Sequence, residues 1–192
     1  MPKVEYNLRY LQAGVDLLED YLLSEDVYRP IGVSAPRGKP PYPQLTLGWL
    51  LLFARRIATA DLTPVQQAEA NRLNGQVDLL HTRWRAAWEK KASREFSVRL
   101  VQWGNFLQDY RVAPEANYDR YAYEANRRVI LQLLRTEANI SELDQEMLEG
   151  FDSILEAYLL PGDFIWDPRL MAGFSQPVFW YLYGSVPRRR NG

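Results

Sequence analysis

The chain has 192 residues, a formal net charge of −1, 47% hydrophobic and 24% charged residues, a composition that supports a packed core and excludes a disordered chain. It holds no cysteine and one histidine, His81, which excludes disulfides, cysteine-held zinc, iron–sulfur clusters, thiol nucleophiles and any single-chain site that needs two imidazoles.

The first predicted helix covers Val4–Leu23. Val4, Leu8, Leu11, Val15, Leu18 and Leu22 alternate four- and three-residue steps, and Tyr6, Tyr10, Leu17 and Tyr21 form a second stripe beside them. Such a wide apolar face suits a helix with two neighbours. Residues 29–42 are different. Pro30, Pro36, Pro40 and Pro41, followed by Pro43, combine with Gly32 and Gly38 to forbid helix and favour an extended path. A loop of this length without secondary structure is often functional or flexible.

Residues 45–60 are apolar almost all round and predict a buried central helix. Thr63, Pro64 and Gln66 form a helix start with a capping box, and the apolar spacing then continues to Tyr110. Unbroken, that helix would be on the order of 70 Å long, with Asn74-Gly75 as the expected kink. Pro114 opens the next helix, residues 114–138, with Tyr118, Ala122, Ala125, Val129 and Leu133 expected inward. Ser141 caps a last helix over 141–160, with Leu143, Met147, Phe151, Ile154 and Tyr158 expected inward.

After Pro161 the helical spacing stops. Phe164, Trp166, Phe174, Phe179, Trp180, Tyr181 and Tyr183 crowd the remaining residues, and 178–183 reads as one short strand without an evident partner. These pieces predict an all-α fold: an elongated bundle of four to five helices with one very long helix and an extended aromatic-rich C-terminal arm. One domain is expected over 1–192, the bundle at 1–160 and the arm at 161–192.

Charge is blocked. Residues 27–60 carry five bases and no acid, and residues 141–163 carry seven acids and no base. The simplest expectation is that the two segments face each other. Lysine occurs only at positions 3, 39, 90 and 91, so nineteen of the 23 bases are arginine, the side chain suited to carboxylate and phosphate.

The motifs that carry chemistry are sparse. The run Gly32 to Lys39 has five residues between its glycines and Pro40 where a phosphate-binding loop needs Ser or Thr, which leaves a basic loop with Ser34, Arg37 and Lys39 as anion contacts. Asp78 and His81 stand one helical turn apart, and Arg83, Trp84, Arg85 and Trp88 interleave cations with rings. No Gly-x-Ser-x-Gly elbow and no distinct carboxylate pair is found, so an enzyme is not favoured and no cofactor is implied.

Three functions from different classes follow. The first is a helical interaction or scaffold protein that self-associates or binds another protein through Phe174, Phe179, Trp180, Tyr181 and Tyr183. A small anionic ligand in a cleft between helices is the second, with Arg127, Arg128 and Tyr121 beside Tyr123 as its contacts. Nucleic-acid binding through Arg37, Lys39 and Arg188–Arg190 is the weakest, since such domains are usually basic overall. The first ten residues lack the long apolar core of a secretory leader, and residues 45–54 are about half the ~20 a membrane span needs. A soluble cytoplasmic location without a membrane partner is expected.

Overall fold

The computed structural model describes residues 4–188. Among them lie seven α-helices and one two-stranded sheet, so the fold is mainly α. α1 (Val4–Leu23) has its predicted bounds, with the Leu8, Leu11, Val15, Leu18 and Leu22 seam buried and Tyr10 and Tyr21 enclosed beside it. α2 (Leu47–Ala58) starts at Thr46, whose hydroxyl accepts the Trp49 amide at 3.1 Å. It is the central helix and packs on α1, on α4 (Arg85–Val112) and on α6 (Tyr121–Leu134).

Close approach at that centre depends on Gly48. A Cβ there would lie 2.0 Å from Ile130 Cγ2 and 2.6 Å from a Glu95 carboxylate oxygen. The same glycine donates its amide to Glu95 at 2.9 Å. Glu95 also accepts from Arg99 Nε at 2.5 Å, while Arg99 Nη2 donates to Thr46 Oγ1 at 3.1 Å. Two opposite charges are thus buried between α2 and α4 with mutual hydrogen bonds, the condition under which a buried pair is tolerated.

The long predicted helix is broken, but not at Gly75. α3 (Pro64–Arg83) runs through Gly75, at which an added Cβ would meet nothing within 4 Å. The break falls at Trp84, whose φ of −115° and ψ of 35° leave the helical region. Its indole donates to Glu19 on α1 at 3.0 Å, and Arg83 pairs with the same carboxylate at 3.3 Å. A tertiary anchor on a large ring, rather than the local weakness of glycine, therefore sets the bend. The Thr63–Gln66 capping box forms as expected.

The predicted helix at 114–138 is also divided, into α5 (Pro114–Asn117), a 3-10 turn at Tyr118–Arg120, and α6. Asn117 turns its amide onto the Asp109 and Ala113 carbonyls at 3.2 and 2.9 Å, so a side chain takes over the free end of α4. The turn resets the register. Ala125 and Val129 face inward as expected and Tyr118 and Leu133 pack half-buried on the core, but Ala122 is exposed and Tyr121, Arg128 and Leu134 are buried instead.

α7 (Glu142–Glu156) is capped by Ser141 and ends short of Leu160. Its buried residues are Leu148 and Leu155, and the expected inward residues Leu143, Met147 and Ile154 are exposed. The inward face instead carries Leu148 and Leu155 with Asp152 between them, which accepts two hydrogen bonds from Arg128 at 2.7 and 2.6 Å. The two charge blocks do not meet. Among the described residues no ion pair joins 27–60 to 141–163, because α7 packs on α4 rather than on α2.

The arm folds back on its own bundle. The expected strand at 178–183 does not form: Trp180–Leu182 is a 3-10 turn, and the strand of the arm is β2 (Tyr183–Ser185), which pairs antiparallel with β1 (Leu160–Phe164). Gly184 is required there, since a Cβ would lie 2.4 Å from the Leu160 carbonyl oxygen. Phe174, Phe179 and Tyr181 are fully buried in a cluster continuous with the helices. Among the described residues no helix is long and apolar enough to cross a membrane.

Candidate functional site

Five parts of the chain converge on one cavity of about 580 Å³. α1 contributes Tyr6 and Asn7, and the proline-rich loop contributes Lys39, Pro40, Pro41, Tyr42 and Pro43. α2 adds Trp49, Phe53 and Arg56, α6 adds Tyr123 and Asn126, and the arm closes one side with Trp166, Asp167 and Leu170. Its walls are therefore mainly rings and prolines, with few polar groups, the composition of small-molecule sites.

The loop is held in shape. Arg29 and Leu45 exchange two backbone hydrogen bonds, of 3.1 and 2.7 Å, at its neck. Gly38 lies at φ 76°, a left-handed conformation that glycine adopts freely, and the Lys39 amide closes the turn on the Pro36 carbonyl at 3.0 Å. Tyr42 donates its hydroxyl to the Tyr6 carbonyl at 3.0 Å, and Tyr6 donates to the Pro40 carbonyl at 3.3 Å. Behind them Tyr10 stacks on Phe53 with centroids 3.9 Å apart.

Arg56 is the charged group of the cavity. Its guanidinium sits 4.8 Å from the Trp166 ring centroid and 5.8 Å from that of Phe53, and Nη2 donates to Asn126 at 2.8 Å. Nε is buried with no hydrogen-bond acceptor. Among the described residues no carboxylate pairs with Arg56. Asp167, the one acid on the cavity wall, is engaged by Arg169, whose Nε donates to it at 2.8 Å. Burial lowers the Arg56 pKa to about 10, so the group remains a cation at neutral pH.

A second, more polar cleft of about 210 Å³ adjoins the first and shares Pro43, Trp49, Tyr123 and Asn126 with it. Arg99, Gln102, Arg127 and Tyr28 line it. Arg127 donates Nε to Gln102 at 3.2 Å and is ion-paired with Glu124.

The residues expected from the sequence are distributed unevenly. Lys39 lies on the main cavity, while Arg37 is exposed on the loop outside it. Arg127 reaches the adjoining cleft. Arg128 and Tyr121 are not available to a ligand as expected: Arg128 is buried against Asp152 with its guanidinium 4.5 Å from the Tyr181 ring centroid, and Tyr121 donates to the Tyr181 carbonyl at 2.5 Å. The arm rings expected at an interface are packed within the chain, with Trp180 and Tyr183 half-buried and the other three enclosed. Arg188 lies 5.8 Å from the Tyr118 ring centroid, and Arg189 and Arg190 fall outside the described residues.

Other sequence features have structural roles. His81 packs on Trp88 at 4.6 Å, Asp78 is exposed, and Trp88 donates to Glu137 at 2.9 Å. Among the described residues no group of three or more His, Asp or Glu converges as a metal-binding set. Arg56, Trp166, Tyr42 and Asn126 line the cavity but were not among the ligand contacts expected from the sequence. The available signal was the Arg55-Arg56 pair ending an apolar helix beside a proline-rich loop. Comparison with protein families, curated proteins and solved structures gives no match to this chain.

Proposed function

We propose that the chain binds a small anionic ligand bearing a flat or aromatic group, held in the cavity between α1, α2, α6, the proline-rich loop and the arm. The observation that carries this reading is Arg56: a cation enclosed by rings, without a carboxylate, on the wall of a cavity whose one acid is engaged elsewhere. The buried Arg99 and Arg128 each have a carboxylate counter-ion, whereas the half-buried Arg56 has none among the described residues. A carboxylate or phosphate would supply it through the bidentate geometry that guanidinium favours, and the ring walls would stack on the rest of the molecule. Lys39 at the loop supplies a second positive charge. The sequence alone supports a cytoplasmic location for this activity.

Isothermal titration with a panel of aromatic carboxylates and nucleoside monophosphates tests the reading. An anion is expected to bind, its uncharged amide or nucleoside counterpart to bind at least about tenfold more weakly, and Arg56→Gln to lose that discrimination. Equal binding of charged and uncharged members, or unchanged binding by Arg56→Gln, would refute it.

A further inference from the structure

We propose, on the reading of Arg56 as an anion contact, that the ligand of the cavity is an elongated aromatic dianion. One of its acids lies at Arg56 and the other in the adjoining cleft, at Arg127. The two spaces share a wall. Pro43, Trp49, Tyr123 and Asn126 line both, so a flat group lying against Trp49 and Tyr123 has access to each. On α6 the consecutive residues Asn126 and Arg127 divide between them: Asn126 borders both spaces and accepts from Arg56 at 2.8 Å, and Arg127 borders the cleft alone.

Size assigns the cleft its part. Sites for a whole small molecule measure about 300–1,000 Å³, a range that includes the main cavity at about 580 Å³. The cleft, at about 210 Å³, is too small for a separate site of that kind. It is large enough for one substituent of a ligand seated in the cavity.

Chemistry identifies that substituent. The cavity is walled mainly by rings and prolines, whereas the cleft adds Arg99, Arg127, Gln102, Gln44 and Tyr28, and no acid lines it. The carboxylates that pair with its two arginines, Glu95 and Glu124, are buried and do not border the cleft. Glu124 is moreover shared. It pairs with Arg120 at 3.3 Å as well as with Arg127, and the other acid of Arg120, Asp109, lies at 3.8 Å between exposed side chains. Burial lowers the Arg127 pKa, and the nearby positive charge of Arg99 lowers it further. Gln102 accepts from Arg127 Nε at 3.2 Å and so fixes the guanidinium at the wall. A carboxylate or phosphate in the cleft would therefore face cations and amides without a competing acid, and its tether to the anion at Arg56 makes each contact reinforce the other.

Isothermal titration with naphthalene and biphenyl diacids, each with its carboxylates at opposite ends, tests the proposal at two spans against the corresponding monoacids. At least one diacid is expected to bind at least about tenfold more tightly than its monoacid, beyond the small statistical gain of two equivalent ends. Arg127→Gln is expected to remove that gain and leave monoacid binding unchanged, while Arg56→Gln weakens monoacid and diacid alike. If neither diacid gains over its monoacid, the cleft is not an acid subsite, and the reading of Arg56 still stands. A gain that survives in Arg127→Gln with a native circular-dichroism melt overturns the proposal in the same way. The wild-type comparison decides by itself if Arg127→Gln does not fold. Absence of binding by every monoacid and diacid would overturn both this proposal and the reading of Arg56.

Discussion

Arg55 and Arg56 are adjacent at the end of α2 and enter two opposite aromatic environments. Arg55 sits 5.4 and 5.0 Å from the Phe174 and Phe179 ring centroids and donates Nε to the Gly173 carbonyl at 2.6 Å. Those rings continue edge to face, Phe174 to Phe179 at 5.1 Å and Phe179 to Tyr181 at 6.2 Å, and Tyr181 meets the paired Arg128. Arg56 stands between Phe53 and Trp166, but the rings around it border empty space and no acid answers its charge. The lesson is that an arginine among rings has no single meaning. Neither arginine has a carboxylate partner among the described residues, so the difference lies in the rings: where ring packs on ring the cluster is core, and where rings border a void beside the cation the cluster can receive an anion.

The contrast is most exposed to failure in the closed region. Phe179→Ala is expected to cost about 3–5 kcal/mol in urea unfolding, the usual range for a large buried ring. Asp152→Ala should cost a similar amount, about 3–5 kcal/mol, because it strands the buried Arg128 charge. A loss under about 1 kcal/mol from Phe179→Ala would mean that the arm is not an integral part of the core, and from Asp152→Ala that Arg128 does not depend on its counter-ion.

Arg56→Gln should change stability by no more than about 1 kcal/mol, since it removes a desolvated cation without stranding a partner charge. A loss as large as that of Asp152→Ala would erase the distinction between the two environments. Trp166→Ala sharpens the same point from the other side. The ring is half-buried on the cavity wall and donates to the Ala122 carbonyl at 3.2 Å. Its removal is expected to weaken the anion titration about tenfold, with a smaller stability loss than Phe179→Ala shows.

The smallest expected effect is on pH dependence at the cavity edge. Hydrogen bonds from Arg169 hold the Asp167 carboxyl at about 2, below its ordinary 3.8. A depressed carboxyl pKa stabilises the fold above the unfolded value and loses that contribution as pH falls through the folded one. Acid titration between pH 4 and 2 should therefore show a slightly steeper stability loss in the wild type than in Asp167→Asn. Identical slopes would show that the Asp167–Arg169 pair is not maintained.

Local rules were read correctly where local chemistry decided. The heptad seam of α1, the Thr63 capping box, Pro114 at a helix start and the Ser141 cap all stand as expected. Periodicity failed where a distant group overruled it. The long helix bends at Trp84, whose indole is bonded to Glu19, and α7 buries Leu148 and Leu155 beside the Asp152–Arg128 pair while Leu143, Met147 and Ile154 of its expected stripe face water. Of the candidate cavity, Lys39 and the proline-rich loop that lines it were named from the sequence. Arg56 was not, because an arginine's need for a counter-ion is visible only once its surroundings are fixed.

The sequence by itself determined that the chain is mainly helical, that it lacks cysteine chemistry, that its charge lies in blocks and that its end carries a surplus of rings. Only the tertiary structure decided which rings close on each other and which border a cavity, which arginines are answered by acids, and which face of α7 meets water. Helix formation depends on neighbours three or four residues away, and composition shows them. Counter-ions, close approaches at Gly48 and Gly104, and the walls of a cavity come from residues tens of positions apart, and no spacing rule along the chain records them.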